Sequence, residues 1–296
     1  SNAYGRGWNW DDYNENYAPE RSSLPIYGNV AQFNLQQEGK GYKLTTDVPF
    51  YKYRINELVD PLVKNIQIKR RQSENLFDVE QAAATFTSVQ IPFITYENHR
   101  LLEDTLNSHW RDRVRFPINT SFKNIYSQHS DSLLKPMMHR SDNFFAEQSL
   151  LMVSNERLGV MSDTKIIDTI LKTDFKDLPQ KPRWVDGSGL SRYNLFTPQD
   201  FVAILNKMRT EFGMERLKVI LPTGNDGTLS NYYKSDSNYI FAKTGTLSGV
   251  VALSGFLYTQ KNKLLIFSVL VNNHQASATE VRRAVEKFLV GIRTKY

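Results

Sequence analysis

Cysteine is missing from all 296 residues, which excludes disulfides and thiolate metal sites and leaves the redox compartment open. No apolar run reaches the roughly 18 residues of a membrane-spanning helix. The histidines His99, His109, His129, His139 and His274 show neither His-x-x-x-His spacing nor the glutamate flank of a zinc helix, so neither a metal nor any other cofactor is expected. Internal repeats and low-complexity tracts are absent as well. A chain of this length buries about 75% of the surface its unfolded form exposes, which suits one large domain or two modest ones. The net charge of +6 comes with no zinc-finger or RNA-binding signature. Its densest basic run, Lys64 with Lys69, Arg70 and Arg71, therefore reads as a solvated face rather than a nucleic-acid surface. The opening Ser1-Asn2-Ala3 reads as the scar of a cleaved expression tag, so the lack of a leader excludes nothing and the natural chain is expected to continue upstream of Tyr4.

What is present follows an α+β pattern. Residues 4–27, rich in aromatic and acidic side chains, read as an extended leader ending at Pro25 and Gly28. Val30 to Leu35 and Gly41 to Phe50 alternate near period two around a Gly-Lys-Gly turn, as short strands do. Leu101, Leu102, Leu106 and Trp110 repeat at helical spacing, as do Leu133, Leu134, Met137 and Met138. Thr197-Pro198 is an N-cap and first-turn pair that opens a helix with Phe201, Ile204, Leu205 and Met208 on one face. Three strands are predicted at Tyr239 to Thr246, Val250 to Tyr258 and Leu264 to Val271, forming an antiparallel meander. A final helix with Val281, Ala284, Val285, Phe288 and Leu289 can cover it.

Two short words carry the chemistry. Ser141-Asp142-Asn143 stands before a helix-like stretch and Lys243-Thr244-Gly245 ends a strand-like one, and these are two of the three parts of the signature of penicillin-interacting serine acyl-transferases. Each word alone is more often a helix cap or a strand end. Their order, spacing and setting together point to function. Ser141 offers a hydroxyl that accepts and donates a proton at once, and Asn143 an amide that can hold a substrate carbonyl. Asp142 is expected to turn away and act structurally. Lys243 raises the local potential and can hydrogen-bond Ser141, easing a proton transfer. Gly245 lets a ligand backbone approach the strand edge. Thr244 and Thr246 share a strand face, where two hydroxyls can bind a carboxylate.

The third part, the Ser-x-x-Lys nucleophile, has no credible copy. Ser132-Leu133-Leu134-Lys135 has the spacing, but it lies about nine residues before Ser141, roughly 13 Å along nearly the same rod. Two serines so placed do not converge on one carbonyl, and Pro136 disturbs a helix there unless it is only starting.

The chain resembles the family of D-alanyl-D-alanine carboxypeptidases and endopeptidases typified by penicillin-binding protein 4. The resemblance covers nearly its whole length. It rests on Gly7-Trp8 with Trp10-Asp11-Asp12, on Ser141-Asp142-Asn143 running into Ala146-Glu147, and on Asp186-Gly187-Ser188-Gly189-Leu190-Ser191-Arg192. Leu221-Pro222 before Asp226-Gly227-Thr228-Leu229, and Lys243-Thr244-Gly245-Thr246-Leu247 before Gly249, complete it. Beside that family the Gly-rich string is a tight turn next to the site rather than a phosphate cradle.

The resemblance implies a penicillin-binding, β-lactamase-like transpeptidase fold, an antiparallel sheet flanked by helices with a helical subdomain. It further implies N-terminal truncation and a small β-rich insert. The domains expected from it are residues 1–27 as tag scar and leader packing on the catalytic domain, 28–92 as the insert and 93–296 as an incomplete catalytic domain. Ser141, Asn143 and Lys243 would be catalytic, with Thr244, Gly245 and Thr246 binding substrate and the Thr246 N–H forming half of an oxyanion hole. The nucleophile and its lysine would lie upstream, leaving this fragment inactive. Peptidoglycan stem peptides would be the partners, β-lactams the acylating inhibitors and the periplasm the location. A serine β-lactamase shares both words, but no motif assigns a deacylating base. A non-catalytic wall-binding protein is the reading from another class.

Overall fold

The computed structural model of the chain describes residues 2–38, 41–59, 67–81, 88–108 and 126–296. They form two compact units, Ser1–Tyr4 with Trp8–Tyr126, and Gly5–Gly7 with Ser127–Tyr296. The expected Gly-Lys-Gly turn, Lys64, His109 and Trp110 involve positions outside the described residues.

The described elements of the first unit are β1 (Val30–Glu38), β2 (Gly41–Thr46), β3 (Ile55–Val59), β4 (Gln67–Arg70), β5 (Phe77–Gln81), β6 (Ser88–Pro92) and α1 (Asn98–Thr105). One sheet runs β2-β1-β6 and is antiparallel throughout. The other runs β3-β5-β4 and carries a parallel β3/β5 pair. Alternation turns Ala31 and Phe33 inward from β1 and Phe77 and Val79 from β5, to meet Tyr51, Ile91 and Phe93. Phe33 and Tyr51 sit 4.8 and 5.2 Å from the Phe77 ring centroid. Leu101 of α1 closes the same cluster, which is why this unit runs past the residue 92 expected to end the insert. Most of the leader also lies in this unit: the Arg21 guanidinium donates to the carbonyls of Asn2 at 3.1 Å and Tyr4 at 2.9 Å.

The basic run is not a uniformly solvated face. Alternation along β4 exposes Lys69 and buries Arg70, whose guanidinium donates to the carbonyls of Pro92 at 2.9 Å and Arg71 at 2.7 Å beside the Tyr13 ring. Backbone carbonyls disperse the charge, as a buried cation requires. Arg71 is exposed and pairs with Asp78 and Glu74.

The second unit contains α2 (Asp131–Arg140), α3 (Asn143–Leu158), α4 (Asp163–Lys172), α5 (Pro198–Phe212), α6 (Met214–Ile220), β7 (Ile240–Leu247), β8 (Val250–Tyr258), β9 (Leu264–Asn272) and α7 (Ala278–Lys295). The three strands form the expected antiparallel meander, ordered β7-β8-β9. Period two separates its faces. Ile240, Ala242, Leu253 and Leu257 pack with Val285 and Leu289 of α7, while Phe241 and Phe256 pack with Leu205 of α5 and Leu217 of α6. Helix α5 starts as its sequence dictates, with Thr197 and Asp200 in a reciprocal capping box and Pro198 in the first turn. Pro136 lies inside α2, which continues past it to Arg140; the ring follows only five residues into the helix, so a single backbone bond, to the Ser132 carbonyl, is forfeited. On α7 the buried stripe is centred on Val285 and Leu289, so Phe288, expected on it, lies on the flank and is 60% exposed.

Phe256→Ala, at a fully buried ring, is expected to cost the second unit about 3–5 kcal/mol in urea denaturation. Phe288→Ala is expected to stay within about 0.5 kcal/mol of the parent.

Candidate active site

The Ser-Asp-Asn word is the corner between two helices. Helix α2 ends on Ser141, a C-cap in the left-handed region at φ 57° and ψ 50°, a conformation costing a residue with a Cβ about 1–2 kcal/mol. Asp142 is extended and caps α3, its carboxylate accepting the Phe145 N–H at 2.9 Å. Asn143 is the first residue of α3 and is half-buried. The Ser141 hydroxyl thus projects from a corner with a helix on either side.

The Gly-rich string locks α3 in place. Ser188 N–H donates to the buried Glu147 carboxylate at 2.7 Å. A Cβ on Gly187 would stand 2.7 Å from the Ala146 carbonyl oxygen, so only glycine permits this approach. Buried Asp186 accepts the N–H groups of Gly189 at 2.8 Å and Ser191 at 2.6 Å, and the Asn194 amide at 2.7 Å. From the end of the string, Arg192 donates to the Ser248 carbonyl in the β7–β8 turn at 3.3 Å. On the other helix, His139 in the last turn of α2 lies 3.0 Å from the Asp226 carboxylate.

Strand β7 supplies the other half. It is an edge strand, paired with β8 alone except where Ala242 N–H donates to the Pro222 carbonyl at 3.0 Å. Backbone directions alternate along a strand, so the N–H groups of Thr244 and Thr246 point to that same outer edge, which has no partner strand there among the described residues. Lys243 reaches across to the helix corner: its Nζ donates to Ser141 Oγ at 2.7 Å and to the Thr244 carbonyl at 2.7 Å. Desolvation of this half-buried ammonium pushes its pKa down to about 8. The hydroxyls of Thr244 and Thr246 lie on the α7 side, where Thr246 Oγ1 accepts from Arg282 Nη2 at 2.6 Å. Gly245 faces Ala252, whose Cβ would be 3.3 Å from an added one.

Ser141 and Lys243 thus meet, Asn143 opens α3 two residues after Ser141, and Thr244 to Thr246 form the open edge. The decoy serine and lysine, Ser132 and Lys135, are both exposed on α2. A second pair with the same spacing, Ser162 and Lys165, escaped the motif reading. Ser162 Oγ accepts the Lys165 N–H at 3.4 Å as the cap of α4, so there the spacing records a helix start. Arg282 escaped too, since nothing near it in sequence marks it. Among the described residues no group of three or more acidic or histidine side chains is placed to hold a metal ion.

A family model described as the D-Ala-D-Ala carboxypeptidase 3 (S13) family matches residues 1–295. The penicillin-sensitive carboxypeptidase A of Dictyostelium discoideum is 31% identical over 116 residues, 36% of this chain and 22% of that protein. The D-alanyl-D-alanine carboxypeptidase DacB of Haemophilus influenzae is 28% identical over 157 residues, 50% of this chain and 33% of that one. The matched stretches therefore span a third or less of these curated relatives. The crystal structure of penicillin binding protein 4 from Haemophilus influenzae superposes with a TM-score of 0.71 at 21% identity, covering 94% of this chain and 67% of that one, and so shares its fold.

Two outcomes follow from the strained corner and the desolvated cation. Ser141→Gly and Ser141→Ala both remove the hydroxyl, but only glycine relieves the left-handed backbone, so the glycine variant is expected to be more stable by about 1 kcal/mol in urea denaturation. A lysine whose folded pKa is lowered holds its proton less readily in the fold than when unfolded. Stability therefore rises with pH between about 8 and its ordinary value near 10.4. Lys243→Met is expected to lose this rise, so its stability relative to the parent falls between pH 7.5 and 9.5 in paired denaturation curves.

Proposed function

The chain belongs to the D-Ala-D-Ala carboxypeptidase 3 (S13) family, and we propose that it forms the C-terminal portion of a periplasmic peptidoglycan D-alanyl-D-alanine carboxypeptidase and endopeptidase working through a serine acyl-enzyme. The observation that carries this reading is the 2.7 Å contact between Lys243 Nζ and Ser141 Oγ, set beside an open strand edge. Ser141 accepts from the ammonium, which leaves its own proton free to be passed on.

In the proposed reaction a serine supplied by sequence outside these residues attacks the carbonyl carbon of the penultimate D-alanine. Negative charge develops on the carbonyl oxygen, and the outward Thr246 N–H is placed to receive it. The carbon–nitrogen bond then breaks. The proton lost by the nucleophile travels through Ser141 Oγ to the departing amine of the terminal D-alanine. Water hydrolyses the resulting ester, releasing the shortened stem peptide and restoring the serine. Asn143, opening α3, holds the carbonyl of the acyl side, and the backbone of β7 pairs with the extended peptide as an added strand. A β-lactam acylates the same serine, and the penicillin sensitivity in the name of the Dictyostelium relative supports that inhibition. Without the nucleophile the present residues do not turn over.

Intact mass after incubation with benzylpenicillin tests this reading. The full-length protein is expected to gain one drug mass and this chain none. An adduct on this chain alone would move the chemistry to a serine within it, and no adduct on either form would overturn the acyl-enzyme reading.

A further inference from the structure

The proton path needs Ser141 Oγ and Lys243 Nζ 2.7 Å apart, yet one comes from a helix end and the other from a strand. A misplacement of about 1 Å at such a contact can cost on the order of a hundred-fold in rate. Residues 222–229 join the two parts. On the strand side, the Pro222 carbonyl accepts the Ala242 N–H at 3.0 Å and Thr223 Oγ1 donates to the Ile240 carbonyl at 2.7 Å, just before Lys243. On the helix side, the Asp226 carboxylate stands 3.0 Å from Nδ1 of His139, two residues before Ser141. The next residue, Gly227, has φ 50°, and a Cβ there would stand 2.7 Å from the His139 carbonyl oxygen. The turn Gly227–Leu229 therefore presses on the last turn of α2. Between its ends the segment is tied to itself, Asp226 N–H donating to the Thr223 carbonyl at 3.1 Å and Leu229 N–H to the Asp226 carbonyl at 2.8 Å. The His139 side chain is only 15% exposed and its Nε2 is buried with no partner among the described residues, so Asp226 is the polar hold on the ring.

We infer that His139, held by Asp226, is a positioning residue for the acyl transfer. With residues 222–229 it forms a strut from β7 to the end of α2, which sets the distance between Ser141 Oγ and Lys243 Nζ. This rests on the reading of Ser141 and Lys243 as the proton path. His139 itself touches neither ligand nor reacting atoms and acts through Ser141. The β7 edge is held by β8 and keeps its place when the end of α2 shifts. Loss of the strut therefore slows the proton transfer and leaves ligand pairing along the edge intact.

The test compares the full-length protein with His139→Ala, His139→Leu, His139→Asn, Asp226→Ala and the double alanine variant. Acylation by benzylpenicillin is followed across drug concentrations, which separates the limiting rate constant from the dissociation constant of the preceding complex. The alanine and leucine variants are expected to lose about ten- to a hundred-fold in the limiting rate with the dissociation constant little changed. The double variant is expected to lose no more than either single one, because the pair acts as a unit. Asparagine places an amide nitrogen where Nδ1 stands and should recover part of the loss, whereas leucine keeps bulk without the nitrogen and should not. A limiting rate unchanged in His139→Ala, a loss confined to binding, or equal rates in His139→Leu and His139→Asn overturns the assignment. If the alanine variants do not fold, the leucine and asparagine pair decides. Titration of the Lys243 side chain by carbon-13 NMR, assigned with Lys243→Met, reads the same contact without turnover. A loosened corner admits water, so the midpoint is expected to rise in His139→Leu and to return toward the parent in His139→Asn. If no form is acylated, the acyl-enzyme reading fails, and the titration still decides: a raised midpoint in His139→Leu sustains the role of His139 and an unchanged one overturns it.

Discussion

Among the described residues strand β7 pairs on one side only along the site, and the arrangement of the site follows from that constraint. Because β8 satisfies alternate backbone groups, the remaining ones, at Thr244 and Thr246, are left facing outward. Because side chains alternate as well, Lys243 leaves the strand on the opposite face from the two threonines. One eight-residue strand thus presents donors along its edge, a cation on one face and hydroxyls on the other. Its first half is core, with Ile240, Phe241 and Ala242 buried, and this anchors the exposed second half. Long open edges are normally covered or blunted because they invite pairing with other chains. Here two cations, Lys243 and Arg282, flank the edge.

The site is expensive to hold. Ser141 adopts a backbone conformation suited to glycine, and Lys243 keeps an ammonium where desolvation lowers its pKa to about 8. Such costs persist only where the surroundings over-determine the geometry. Asp186, Glu147 and Gly187 supply that on the α3 side with buried, hydrogen-bonded contacts. His139 and Asp226 do so at the end of α2. The string from Asp186 to Arg192, with Glu147, therefore serves mainly to fix the corner from which the Ser141 hydroxyl projects.

Much of the second unit was legible because its signals are local. The Thr197-Pro198 start of α5 and the period-two strands β7 to β9 depend on neighbours in sequence, and the pairing of Ser141 with Lys243 was reachable through a shared motif. What was not legible depends on tertiary placement. Arg70 sits in a run of cations that reads as solvated, yet strand alternation turns it into the core. Leu101 has helical spacing in either unit, and only its packing against the cluster of Phe33 and Phe77 assigns it to the first. Ser162-x-x-Lys165 shows that a catalytic spacing and a helix cap can be identical in sequence. Arg282 meets Thr246 only because α7 folds back across the sheet.

The site depends on an open β7 edge beside Lys243, where the N–H groups of Thr244 and Thr246 have no partner among the described residues. Residue-resolved amide hydrogen exchange by NMR tests it most directly. Alternating protection is expected, slow at Lys243, Gly245 and Leu247 and fast at Thr244 and Thr246. Uniform slow exchange across all five amides would show the edge already paired and would contradict the account.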